Sequence, residues 1–236
     1  MDKPSKPLPI EDARQYFRQM ILGIEYYVDS HSSKVHEHDI AHRDIKPDNM
    51  LVSADNVLKL VDFGVSEMFT KDSDKLKKSA GSPAFFAPEM CVPHHGDMSA
   101  RAADIWALGV TLFCMCFGRL PFNGASIIDL YESIKNDVPP IPKDADPQLQ
   151  DCLLKLLQKN PEARIGMADL REHPWVTKGG KDPMISKEEN CTEMVMEITE
   201  EELKSAVKGV SGLFTVLKAV NKLKKMGKSN SNLLAI

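Results

Sequence analysis

Apolar residues recur at helical spacing from Ala13 through Tyr16, Phe17, Met20, Ile21, Ile24, Tyr27 and Val28, with Pro7 and Pro9 just ahead. The spacing predicts an amphipathic helix over 13–28. Asp29 to Asp39 is polar and histidine-rich, and no cysteine or second cluster accompanies His31, His36 and His38. That stretch reads as a solvated loop rather than a metal site. Two short β-type runs, Met50–Val52 and Val57–Val61, flank Ser-Ala-Asp-Asn and predict a hairpin. From Ser66 to Pro83 the chain is polar, rich in lysine and without period, and reads as a mobile loop. Helical patterns return at Ala100–Phe117, Ile127–Ile134 and Gln148–Gln158, punctuated by Pro121, Asn123-Gly124 and Pro139-Pro140-Ile141-Pro142. No internal repeat is visible, and the expected body is mainly α with one small β-hairpin.

Composition narrows the setting. The 236 residues carry a formal net charge of −4, which argues against binding nucleic acid through bulk charge. Five cysteines, with no CxxC pair, make a poor disulfide framework and suit a reducing compartment. The first residues, MDKPSKPLPI, lack the apolar core of a signal peptide, and the longest uncharged apolar run, Ile105 to Phe117, has 13 residues. That is too short to cross a bilayer. A soluble chain of the cytoplasm, or of the nucleus, is the expectation.

The character changes near Asp182. Residues 188–202 hold seven glutamates and no basic residue, while 203–228 hold seven lysines and no acid. Thr199 and Glu202 form a capping box, so a helix is expected over about 199–226. Leu203, Val207, Val210, Leu213, Phe214, Leu217, Val220 and Leu223 make its apolar stripe among lysines. A basic amphipathic helix is a calmodulin-target or membrane-surface pattern, and a helix docked on its own domain also explains the stripe. Val210 with Leu223, or Leu213 with Met226, gives end anchors thirteen positions apart. Gly209 and Gly212 weaken an isolated helix by about 1 kcal/mol each.

The chemistry lies in His42-Arg43-Asp44-Ile45-Lys46-Pro47-Asp48-Asn49, followed by Asp62-Phe63-Gly64 and Ala87-Pro88-Glu89. A carboxylate, an ammonium and an amide share one short segment, and the hairpin brings a second carboxylate beside them. Phosphoryl transfer uses that set: a carboxylate to orient a hydroxyl and take its proton, a lysine to neutralise the moving group, and an Asn/Asp pair for Mg²⁺. In this order, the motifs form the protein-kinase signature set.

Residues from about 7 to 178 therefore resemble the large, C-terminal lobe of a eukaryotic Ser/Thr protein kinase. The resemblance implies a kinase domain over 1–178 and a regulatory tail over 179–236. It implies Asp44 as catalytic base, Lys46 as the lysine that contacts the transferred phosphate, Asn49 and Asp62 as Mg²⁺ ligands, and Leu51 as the floor beneath the adenine of ATP. His42 and Phe63 match the residues that couple the two motifs. Arg43 matches an arginine that pairs with a phosphorylated activation loop, for which Ser79 is either the phosphosite or a solvated serine. Ser82 matches the substrate-docking serine, Asp104 a buried acceptor for the catalytic-loop backbone, and Glu89 with Arg164 a structural ion pair. The runs DFGVSEMF, GSPAFFAPEM and ITEEELKSAV resemble the calcium/calmodulin-dependent protein kinase kinases. That group implies calmodulin as partner of the tail helix, and another kinase as the protein substrate.

Two features depart from that family. Only 43 residues precede Asp44, and their sole glycine, Gly23, falls inside the predicted helix. No Gly-rich phosphate loop, VAIK-type lysine or partner glutamate is present, so the small N-terminal lobe is expected to be missing and the chain alone to bind Mg-ATP weakly and turn over poorly. The rival reading is a non-catalytic truncated lobe that binds calmodulin or substrates, its exposed small-lobe surface covered by a partner or by the tail. In addition, Tyr27 to His36 is longer than the usual connection to the catalytic loop. Asp48 stands where animal members often have serine; facing the substrate groove, it would favour basic peptides, and a solvated surface acid is an equally good reading.

Overall fold

The computed structural model describes residues 6–30, 38–62, 66–70, 75–76, 80–92 and 97–192. Ser79, Phe63 and the expected tail helix over 199–226 lie outside those residues. The first helix, α1 (Ile10–Ser30), opens after Pro9 with Glu11 and Asp12 in its first turn, where acids suit the helix dipole. Ala13, Phe17, Met20, Ile21 and Ile24 form its buried face. The predicted stripe is therefore the one that packs, and the helix begins three residues earlier than its periodicity suggests.

Strand β1 (His38–Ala41) leads into the catalytic segment, and the predicted hairpin follows as β2 (Met50–Val52) and β3 (Leu58–Leu60). Met50 pairs with Leu60 and Val52 with Leu58 in antiparallel register. The expectation of a single hairpin and of loops over 29–39 and 66–83 needs correction. Asp29 and Ser30 belong to α1, and β1 pairs with β4 (Glu67–Thr70), His38 opposite Thr70 and Ala41 opposite Glu67. A third ladder joins β5 (Lys75–Leu76) to β6 (Met98–Ser99). Polar strands such as β1 and β4 are stabilised by backbone pairing with a partner distant in sequence, which composition does not report.

The centre of the core is α2 (Ala100–Phe117). Ser99 caps it through Oγ, accepting from the Ala102 N–H at 3.1 Å, and Gly118 ends it at φ 65°. A left-handed residue costs glycine nothing, so the helix stops there and its N–H reaches the Cys114 carbonyl at 2.9 Å. Trp106, Leu108, Leu112 and Phe113 are wholly buried, each worth ~1.5–3 kcal/mol of burial. With a mean hydropathy of 1.4 over 18 residues, α2 has the length and apolarity of a membrane span; 83% of it is buried within the protein, as a core helix requires.

Beyond α2 come α3 (Ile127–Asn136), α4 (Pro147–Leu156), α5 (Met167–Arg171), α6 (Pro174–Thr177) and α7 (Lys187–Thr192). Ser126 and Asp129 close a capping box on α3, and Asp146 caps α4 ahead of Pro147. Lys159 lies under this layer, its ammonium 4.1 Å from the Phe122 ring centre, 5.1 Å from that of Trp106, and donating to the Ile134 carbonyl. Burial pushes its pKa down to about 8. Burial likewise pushes up the thiols of Cys91, Cys114, Cys116 and Cys152, all four free, with Cys91 and Cys116 at about 12.

Gly109 sets the spacing of α2 and α4. A Cβ there would lie 2.8 Å from Leu156 Cβ and 3.0 Å from Leu157 Cδ2. Helix propensity favours alanine by about 1 kcal/mol, whereas overpacking a core costs ~1–3 kcal/mol. Gly109→Ala is accordingly expected to lower stability in urea denaturation; a raised midpoint would show that the two helices can separate cheaply.

Candidate active site

Two residues, one in the 42–49 segment and one shortly after β3, are held in a backbone conformation that residues with side chains seldom adopt. Arg43 has φ 66°, and Asp62, one hairpin later, has φ 66° as well. Each such non-glycine residue costs ~1–3 kcal/mol and persists only where its surroundings hold it. Asp104, on α2, does the holding. Its Oδ2 accepts from the His42 N–H and its Oδ1 from the Arg43 N–H, both at 2.8 Å. The expected acceptor role is thus met by two charge-assisted bonds to adjacent amides.

Asp104 is buried, and burial outweighs those two bonds, so its pKa is pushed up to about 6. The folded state then takes up this proton near pH 6, whereas the unfolded chain does so near the ordinary 3.8. Acidification from pH 7 to 5 therefore favours the folded state through this group, the reverse of a salt-bridged carboxylate. The stability gap between the wild type and Asp104→Asn is expected to widen between those pH values in urea denaturation. A gap that narrows would mean that the two amides hold the carboxyl below its usual range.

Downstream of the clamp, four side chains converge. The Lys46 ammonium, itself buried, donates to Asp44 Oδ2 and, at 2.8 Å, to Ser82 Oγ. Asn49 Nδ2 donates to the Asp44 carbonyl at 2.7 Å and to Asp44 Oδ2 at 3.0 Å. Burial alone would raise the Asp44 pKa, but Lys46 with Ser82 and Asn49 holds it below the usual carboxylate value. Asp44 is therefore an ionised, oriented carboxylate at neutral pH. Its Oδ1 is buried and has no hydrogen-bond partner among the described residues, leaving an acceptor for an incoming donor. Burial also pushes the His42 imidazole down, so that ring is neutral.

The hairpin brings up the second carboxylate. The Val61 N–H donates to the Asn49 carbonyl at 2.9 Å, tying the end of β3 to the catalytic segment, and the next residue is Asp62, with an exposed side chain. Because Asn49 spends its amide nitrogen on Asp44, its amide oxygen remains as a ligand atom. An amide oxygen and a carboxylate suit Mg²⁺, which takes one or two protein oxygens and fills its octahedron with phosphates and water. No cluster of three His, Cys, Asp or Glu able to hold a metal occurs among the described residues. Leu51 is half-buried on β2, opposite in facing to the core residue Met50. The residue set therefore fits ATP with Mg²⁺.

Gly81 was not singled out by its residue type. Its φ is 106°, and a Cβ there would sit 2.4 Å from the Arg43 carbonyl, so only glycine lets the Ser82 segment lie on the catalytic one. Its signal was its place before Ser82-Pro83. Glu89 and Arg164 meet as expected, with Nη1–Oε1 at 2.8 Å and Nη2–Oε2 at 2.9 Å.

The Protein kinase domain family model matches residues 2–176. The calcium/calmodulin-dependent protein kinase kinase cmkC of Emericella nidulans is 50% identical over 228 residues, covering 96% of this chain and 42% of that protein. The calcium/calmodulin-dependent protein kinase kinase of Caenorhabditis elegans is 38% identical over 235 residues, 98% of this chain and 42% of that protein. Serine/threonine-protein kinase ssp1 of Schizosaccharomyces pombe is 40% identical over 224 residues, 90% of this chain and 33% of that protein. The chain thus spans less than half the length of these relatives. The clamped catalytic segment, the converging Asp44, Lys46 and Asn49, and the matched span agree: this chain belongs to the protein kinase family.

Proposed function

We propose that the chain carries the large lobe of a serine/threonine protein kinase over 1–178 and a regulatory tail over 179–236. The observation that carries the reading is the Lys46 ammonium bridging Asp44 and Ser82 while Asn49 fixes the same carboxylate. Bound Mg-ATP would supply the phosphoryl group and the charge that neutralises it. Asp44 accepts the proton of the substrate serine or threonine hydroxyl, and Lys46 offsets the charge that develops beside it. Asn49 and Asp62 would hold the metal, and Lys46 and Leu51 would contact the nucleotide. These 236 residues carry no Gly-rich phosphate loop or VAIK-type lysine, so slow phosphoryl transfer by this chain alone is expected.

The names of the Emericella and Caenorhabditis relatives support another kinase as substrate and calmodulin as partner, for which the basic, apolar-striped 199–226 segment is the proposed binding element. The cytoplasm, or the nucleus, is the proposed setting. The test is transfer from labelled Mg-ATP to a threonine-containing activation-loop peptide, with Ca²⁺/calmodulin added or withheld. Slow, Mg²⁺-dependent transfer is expected, together with calmodulin binding that Leu213→Asp weakens. Transfer at the rate of an intact kinase would overturn the need for a small lobe. No transfer by folded protein would favour a binding module without catalysis.

A further inference from the structure

A cleft of about 740 Å³ lies on the body away from the converging Asp44, Lys46 and Asn49, between the end of α1, the start of α2 and the 161–172 segment. We propose that it is an internal docking site for residues 193–198 of the same chain, Glu-Met-Val-Met-Glu-Ile. Ile24, Ile105, Ile165, Met167 and Ala168 supply its apolar lining. A volume in the range of ~300–1,000 Å³ is that of sites which bury a ligand's apolar groups.

The chain is delivered to this place by α7. Asn190 Nδ2 donates to the Leu22 carbonyl at 3.0 Å and to Glu25 Oε2 at 3.1 Å, pinning α7 to α1. Lys187, at the start of α7, and Glu25 both line the cleft, so α7 begins at its rim and Thr192 follows roughly 8 Å further along the helix axis. A segment tethered this closely meets the cleft at an effective concentration of about millimolar before any contact is counted. Fully extended, six residues reach roughly 20 Å, enough to cross it.

The chemistry of the segment matches. In an extended conformation Met194, Met196 and Ile198 share one side, and Glu193, Val195 and Glu197 the other. The first set suits the aliphatic lining, with methionine able to fill irregular space. At the rim, Arg101 and Lys187 are exposed and opposite in charge to Glu193 and Glu197. Of the acids there, Glu25 is already held by Arg171, and Glu172 remains exposed. Asp104 and Arg164 form part of the cleft wall, so an occupied cleft would back both the clamp on the catalytic segment and the ion pair to Glu89.

Hydrogen exchange of the full chain, followed by mass spectrometry, tests this. In the wild type, amides of 193–198 and of 165–170 are expected to be protected at all protein concentrations. Met194→Asp with Met196→Asp should speed exchange at 165–170 by about tenfold, and Ala168→Asp should do the same at 193–198. The paired tail substitutions fall outside the packed body, so they remain informative if Ala168→Asp fails to fold. Unchanged exchange at 165–170 in the paired variant would overturn the proposal. Protection that rises with protein concentration would overturn it too, by assigning the cleft to a second copy.

Discussion

Asp44→Asn is expected to slow phosphoryl transfer by about 10²–10⁴-fold, the usual contribution of a positioned general base. The asparagine keeps the shape of the side chain and an oxygen for Lys46 and Asn49, so folding and nucleotide binding should change little. It loses the ability to take a proton, and Lys46 loses its anionic partner. The measurement is single-turnover transfer from labelled Mg-ATP by the protein that contains this chain, beside its thermal unfolding. An unchanged rate would remove Asp44 from the chemistry. The pH profile offers a second check with a defined sign. Because the pairing with Lys46 holds the carboxyl below its usual range, the acid limb should lie below the ordinary carboxylate value; Lys46→Met should move it upward, since burial is then opposed only by the hydrogen bonds of Ser82 and Asn49.

Arg164→Ala is expected to lower stability by about 3–5 kcal/mol, as removal of one partner from a buried ion pair does. The guanidinium is 1% exposed and the Glu89 carboxylate 13%, so little water is available to replace the lost partner. The same guanidinium also donates to the carbonyls of Gln158 at 2.9 Å, Ala102 at 2.6 Å and Lys159 at 3.3 Å, and it lies over the Trp106 ring at 5.2 Å. One side chain thereby ties the 87–91 segment, the start of α2 and the turn after α4. Lysine cannot supply that planar fork, so Arg164→Lys should recover only a small part. Urea denaturation of Arg164→Ala, Glu89→Leu and the double variant would apportion the effect. If the cost comes from an abandoned charge, the double variant should be more stable than Arg164→Ala. Equal losses in both would place the cost in the carbonyl and ring contacts instead.

The positions of α1 to α4 were legible because each depends on local spacing and caps. The bounds of α2 agree with its apolar run, since Ser99 and Gly118 are local boundary signals; the hairpin was equally plain, its two short apolar runs being separated by four turn residues. The candidate site was legible for a related reason. Asp44, Lys46 and Asn49 fall within six residues, and a short hairpin fixes how far Asp62 can be from them.

The sequence by itself therefore determined the four longer helices α1 to α4, the first hairpin, the order of the chemical groups and the kinase resemblance, while the short α5, α6 and α7 left no such pattern. Only the tertiary structure decided that β1 pairs with β4, that Lys159 sits against Phe122 and Trp106, and that Gly81 meets the Arg43 carbonyl. It also decided that a cleft lies beside the emerging tail. Spacing, propensity and caps act over a few residues and leave a period in the chain. Strand pairing, burial of an ammonium and close backbone approach are set by partners tens of residues away, and no local pattern records them.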